Sequence, residues 1–116
     1  MTRRFIYIGS TAVGKGILKA SGESNLKKVT LELGGKSPNI IFADANLEEA
    51  VKWSHMGVFL NQGQCCTASS RIYVQDSIYD QFLEKFKSSA ESIKVGDPFK
   101  DDTYQGPQIS QIQFDR

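Results

Sequence analysis

The sequence predicts an α/β fold. Short runs of β-branched and aromatic residues alternate with segments whose apolar residues recur every three or four positions, and glycine-rich turns separate the two. At 116 residues, 40% hydrophobic and 23% charged, the chain has the size and composition of one globular domain. Strand–helix alternation of this kind implies parallel pairing with helical crossovers.

The elements follow in order. Arg4 to Ile8 is short and apolar and stops at Gly9, as a buried strand does. A helix over Lys15 to Ala20 follows the turn Gly9 to Gly14, with Ser10 or Thr11 as its cap and an end near Ser21-Gly22. Lys28 to Leu33 alternates: Val29, Leu31 and Leu33 share one face, Thr30 and Glu32 the other. Pro38 opens the run Asn39 to Ala43, apolar throughout and suited to a strand covered on both faces. Asn46 and Glu49 have capping-box spacing, and the helix they start ends near Asn61-Gln62-Gly63. Trp53, Met56 and Phe59, three apart, read as packing positions of that helix. Arg71 to Gln75 is a strand. Ser77 to Ile93 is a helix whose stripe is Ile78, Phe82, Phe86, Ala90 and Ile93, stopped by Gly96-Asp97-Pro98. From Phe99 onward the periodicity dissolves, and no closing element is expected.

Charge and cysteine usage narrow the function classes. Fourteen lysines and arginines against 13 acidic residues give a net charge of +1, which speaks against a nucleic-acid footprint. No apolar run approaches the roughly 20 residues of a membrane span. The N-terminal Arg3-Arg4 segment is broken by Gly9-Ser10-Thr11 before a signal-peptide core can form, so a cytoplasmic location is expected. Cys65 and Cys66 are adjacent, which argues against a disulfide framework and for a reducing compartment. With one histidine, His55, they make no zinc set, and no metal site is expected. His55 itself reads as a surface or core-edge residue.

Three motifs carry chemistry. Gly9-x-x-x-x-Gly14-Lys15 puts glycines and a helix N-terminus after a strand, a setting that attracts phosphate. Its spacing nearly matches a P-loop, but Gly16 stands where that loop needs a hydroxyl for magnesium. A tight strand-to-helix turn explains the glycines equally well. In Leu31-Glu32-Leu33-Gly34-Gly35-Lys36-Ser37-Pro38 a carboxylate sits between leucines before a double glycine, which suits a general base beside a close backbone approach; a solvent-facing glutamate is the plainer alternative. In Phe59-Leu60-Asn61-Gln62-Gly63-Gln64-Cys65-Cys66-Thr67 a thiol follows a glycine in a polar loop, as a nucleophile could; on composition alone, two small buried hydrophobes is the favoured reading.

Taken together and in this order, the three motifs resemble the aldehyde dehydrogenase superfamily, and Glu32 stands 34 residues before Cys66, in keeping with it. Gly96-Asp97-Pro98-Phe99 and Gln105-Gly106-Pro107-Gln108-Ile109 are also similar to that family. The resemblance implies Cys66, rather than Cys65, as nucleophile and Glu32 as general base. It implies Gly9, Ser10 and Gly14 beside the pyrophosphate and nicotinamide of NAD or NADP, with Leu33 and Gly34 bordering the nicotinamide. It places residues 1–34 at the end of the cofactor domain and residues 35–116 at the start of the catalytic domain. The implied reaction oxidises an aldehyde to a carboxylic acid through a thiohemiacetal and a thioester. Family enzymes are several-fold longer, so the resemblance implies an internal fragment or truncated product, with Met1 to Ile6 as a replaced or truncated leader and Ile8 where threonine is usual. Very weak cofactor affinity, and self-association or association with full-length subunits through uncovered apolar surface, are expected. The alternatives are a catalytically inactive fragment that acts only by association with full-length subunits, and a P-loop-like nucleotide binder.

Overall fold

A computed structural model describes residues 3–115; Met1 and Thr2, part of the expected leader, and Arg116 lie outside the described residues. The chain forms two compact units, Met1–Gly35 and Lys36–Arg116.

The first unit is one βαβ turn. Strand β1 (Arg4–Gly9) pairs in parallel with β2 (Lys28–Leu33), Arg4 opposite Lys28 through Gly9 opposite Leu33. Helix α1 (Thr11–Glu23) makes the crossover. Ser10 caps it, its hydroxyl accepting from the Val13 N–H at 3.3 Å, so the choice between Ser10 and Thr11 falls to Ser10. The helix starts four residues before Lys15, and Gly14 and Gly16 lie inside it. At its other end the buried Ser21 hydroxyl donates to the Lys27 carbonyl at 2.7 Å, tying the helix end to the chain entering β2.

The second unit repeats the pattern. Strands β3 (Pro38–Ile41) and β4 (Arg71–Val74) pair in parallel across helix α2 (Leu47–Phe59). Asn46 caps α2 through the Glu49 N–H at 3.1 Å, and Glu48 and Glu49 in the first turn suit the helix dipole. The reciprocal half of the capping box does not form, because the Glu49 carboxylate takes the Trp53 indole N–H at 3.1 Å instead. A 3-10 turn, Asp76–Ile78, leads into α3 (Tyr79–Glu91). The Phe82 stripe faces inward as the spacing predicts. Phe82, Val51 and Ile41 form the core, with Ile72, Val74, Ile78 and Phe86 packed against it. Burial of a side chain like Phe82 contributes about 1.5–3 kcal/mol.

Four expectations need correction. Arg4 to Ile8 does not form a buried strand: Phe5, Ile6 and Ile8 are 42%, 62% and 78% exposed, because β1 pairs with β2 alone among the described residues. The strand after Pro38 ends at Ile41, and Ile40 and Phe42 are 61% and 62% exposed, because among the described residues β3 pairs with β4 alone. Trp53 is 59% exposed and Met56 46%, so of that trio only Phe59 packs. The tail is not patternless: Val95 bridges Gln105, and a short helix, α4 (Gln111–Asp115), follows.

Candidate active site

The parallel register of the first unit sets the sequence-predicted cofactor residues at one edge. Ile8 lies opposite Glu32 and Gly9 opposite Leu33, so the C-terminal ends of both strands coincide, with α1 starting two residues after Gly9. In open α/β sheets this is the edge where ligands bind. Gly9 has φ +155°, and a Cβ there would overlap the Tyr7 phenol, so the turn requires glycine. The Tyr7 hydroxyl accepts from the Ser10 N–H at 3.2 Å and covers the turn. Glu32 is exposed, as is Gly34 after it.

Gly14 has a different setting. It is buried within α1, where a Cβ would meet the Leu33 Cδ atoms at 3.0 and 3.3 Å and Leu31 Cδ1 at 3.4 Å. Its missing side chain lets α1 lie close on β2. Residues 11–16 being helical, no loop runs from Gly9 to Lys15 to wrap a phosphate, and Gly16 faces open space. The P-loop alternative thus lacks its geometry as well as its hydroxyl.

In the second unit the cysteine loop leaves α2 through a 3-10 turn, Leu60–Gly63, in which Asn61, Gln62 and Gly63 all have positive φ, of 52°, 54° and 73°. Two successive non-glycine residues in that region are unusual; asparagine tolerates it, and the larger cost, about 1–2 kcal/mol, falls on Gln62. The surroundings hold them there. The Asn61 amide donates to the Gln64 carbonyl at 3.1 Å, and the Gln105 amide donates to the Phe59 carbonyl at 2.6 Å. At the far end Ser69 N–H donates to the Gly57 carbonyl at 2.8 Å, and Ala68 is buried.

Both cysteines are free and exposed, which overturns the reading of them as buried hydrophobes. The turn lifts them off the core. Cys65 Sγ lies 3.3 Å from Thr67 Oγ1, and hydrogen bonds from the Thr67 side chain, then its backbone N–H, hold the Cys65 thiol below the ordinary thiol range. Cys66 follows at the start of the next turn; among the described residues its backbone N–H donates to no carbonyl. His55 is half-buried, its Nδ1 2.6 Å from Ser89 Oγ and its ring edge-on to Phe59 and Tyr104, so it serves the packing of α2 rather than either thiol. No group of three metal-ligating side chains occurs among the described residues.

The first unit thus gathers Gly9, Ser10, Glu32, Leu33 and Gly34 at one sheet edge, and the second holds Cys66 on its own loop. Sequence reasoning gave no role to Tyr7, Gly57, Thr67 or Gln105, although Thr67 closes the cysteine motif, Gln105 opens a segment similar to the family, and Gly57 is a glycine inside a helical pattern.

The aldehyde dehydrogenase family model matches residues 2–116. The chain belongs to the aldehyde dehydrogenase family. It is 63% identical over 110 residues to an aldehyde dehydrogenase of Davidiella tassiana, covering 95% of this chain and 22% of that protein. It is 59% identical over 113 residues to retinal dehydrogenase 2 of Taeniopygia guttata, covering 97% of this chain and 22% of that one. Among solved structures it superposes on PnpE in complex with nicotinamide adenine dinucleotide with a TM-score of 0.91 and 47% identity, over 98% of this chain and 23% of that chain. The chain therefore spans about a fifth of the length of the relatives it matches. Its fold is an α/β piece of the aldehyde dehydrogenase fold.

Proposed function

We propose that this chain carries the nucleophile and the general base of an NAD(P)-dependent aldehyde oxidation. The observation that carries the reading is Cys66: an exposed thiol, set at the end of a left-handed turn, with its own backbone N–H unpaired among the described residues. The Cys66 sulfur adds to the aldehyde carbon, giving a thiohemiacetal. The oxygen that gains charge in that step is held by the Cys66 N–H. Glu32 later takes a proton from water, which attacks the Cys66 thioester and releases the carboxylic acid.

The edge formed by β1 and β2 suits one end of a dinucleotide. Helix α1 begins at this edge, where its dipole favours an anion, and half-buried Leu33 lies opposite Gly9 in register. These features fit the pyrophosphate and nicotinamide ends of NAD or NADP, with Gly9 and Ser10 holding the former and Leu33 and Gly34 bordering the latter. When bound, the cofactor supplies the hydride acceptor. Gly14 acts on this site through the seating of α1 on β2. Residues 1–34 then close the cofactor domain and residues 35–116 open the catalytic one; the division of the chain at Gly35 supports this. The free, adjacent thiols support a cytoplasmic location. Association with full-length family subunits is the second role, favoured by the uncovered Ile40 and Phe42 beside β3.

Titration with an aldehyde labelled with carbon-13 at its carbonyl tests the proposal. A thiohemiacetal resonance is expected at full intensity with the parent chain and with Cys65→Ser, and much reduced with Cys66→Ser. An adduct undiminished in Cys66→Ser overturns it.

A further inference from the structure

The C-terminal segment beyond α3 has a role that its lack of periodicity hid. Residues 94–105 form a strap: Tyr104 N–H and Gln105 N–H both donate to the Lys94 carbonyl, and Gly96 N–H donates to the Gln105 carbonyl at 2.9 Å. The strap docks on α2 through Tyr104, whose ring meets His55 edge-on at 5.7 Å. His55 is in turn bonded to Ser89 of α3. Gln105 is thereby held on both sides along its backbone.

Its side chain reaches 46 residues back. The Gln105 Nε2 donates to the Phe59 carbonyl at 2.6 Å. Phe59 is the last residue of α2, where a helix leaves carbonyls without an intrahelical donor. A carbonyl accepts only from the amide nitrogen, which fixes the orientation of the Gln105 amide. Phe59 is also stacked on Phe86 of α3 at 6.0 Å, so its ring and its carbonyl are both tied down. The chain then enters the left-handed residues Asn61 and Gln62; asparagine tolerates that region, but at Gln62 neighbouring structure must impose it.

We infer that Gln105 is a positioning residue for Cys66: its amide clamps the end of α2 and so fixes the turn that presents the thiol. The inference rests on Cys66 being the nucleophile. It assigns Gln105 no contact with substrate. It acts through Phe59 and the turn.

The test reads amide hydrogen exchange and aldehyde adduct formation in the whole chain. In the parent protein the Gln105 side-chain amide is expected to exchange about tenfold more slowly than those of exposed Gln81 and Gln108. Gln105→Met, which keeps length and loses the donor, is expected to speed exchange at the Gln64 and Cys65 N–H groups about tenfold and leave Val51 unchanged. The labelled-aldehyde adduct at Cys66 should fall in parallel. Gln105→Glu should match Gln105→Met at pH 7 and approach the parent below about pH 4, where its carboxyl becomes a donor. A purely space-filling role would show no such pH rescue. Parent Gln105 exchanging like Gln81 overturns the inference without any variant. So does a Gln105→Met protein with unchanged exchange at Gln64 and Cys65. A protected Gln105 amide in a parent chain that forms no adduct supports the clamp and counts instead against Cys66 as the nucleophile.

Discussion

Gly57 and Ser69 touch so closely that a Cβ on Gly57 would lie 2.8 Å from the Ser69 Oγ and 3.1 Å from its Cβ. The same two residues share the hydrogen bond from Ser69 N–H to the Gly57 carbonyl, which closes the far end of the cysteine loop onto α2. A glycine in mid-helix costs about 1 kcal/mol relative to alanine. The contact explains why the helix accepts that cost.

Gly57→Ala is therefore expected to destabilise the second unit despite its better helix propensity. Overpacking of this kind costs about 1–3 kcal/mol, and the Ser69 Cβ cannot rotate out of the way. The pair Gly57→Ala, Ser69→Gly should recover most of the loss. Urea denaturation of the single and double variants measures both effects.

Gly14 and Gly16 of α1 make a matched comparison. A Cβ at Gly14 meets Leu33 at 3.0 Å, whereas one at Gly16 meets nothing within 4 Å. Gly16→Ala should stabilise α1 by about 1 kcal/mol through propensity alone. Gly14→Ala should fall short of it by about 1 kcal/mol or more, because the helix must move off β2. Amide exchange along α1 reads the difference.

The Cys65 thiol should react as a thiolate at lower pH than an ordinary cysteine, since Thr67 hydrogen-bonds its ionised form. Replacing that donor should move the profile upward. The check is the pH dependence of iodoacetamide alkylation in a Cys66→Ser background, compared with and without Thr67→Val. A profile that does not move on Thr67→Val would show that the hydroxyl does not stabilise the thiolate.

The order of strands and helices was legible because each element has a strong local cause. Ser10 and Asn46 are capping residues placed before apolar periodicity, and Phe82 and Phe86 repeat at helical spacing on one stripe. The cysteine loop was legible as a motif but not as a shape. Asn61 and Gln62 adopt left-handed backbone because Phe59, Gln105 and the Gly57–Ser69 contact hold the loop's ends, and Gln105 comes from 46 residues beyond Phe59. Exposure of Cys65 and Cys66 follows from that shape, so composition pointed the wrong way. Ile40 looked like a residue covered on both faces because an apolar run says nothing about how many strands flank it. Gly14 was legible as a glycine near a strand end; that it seats α1 on Leu33 depends on the register of β2.

The measurement closest to the central claim is acylation by an activated ester, followed by intact and peptide mass spectrometry over time. It needs no cofactor, so it isolates the chain's own two residues. The account predicts an acyl group on Cys66, absent in Cys66→Ser, that decays by hydrolysis in the parent chain and persists in Glu32→Gln. Acylation spread over Cys65 and surface lysines, with the same decay in Glu32→Gln as in the parent, would contradict it.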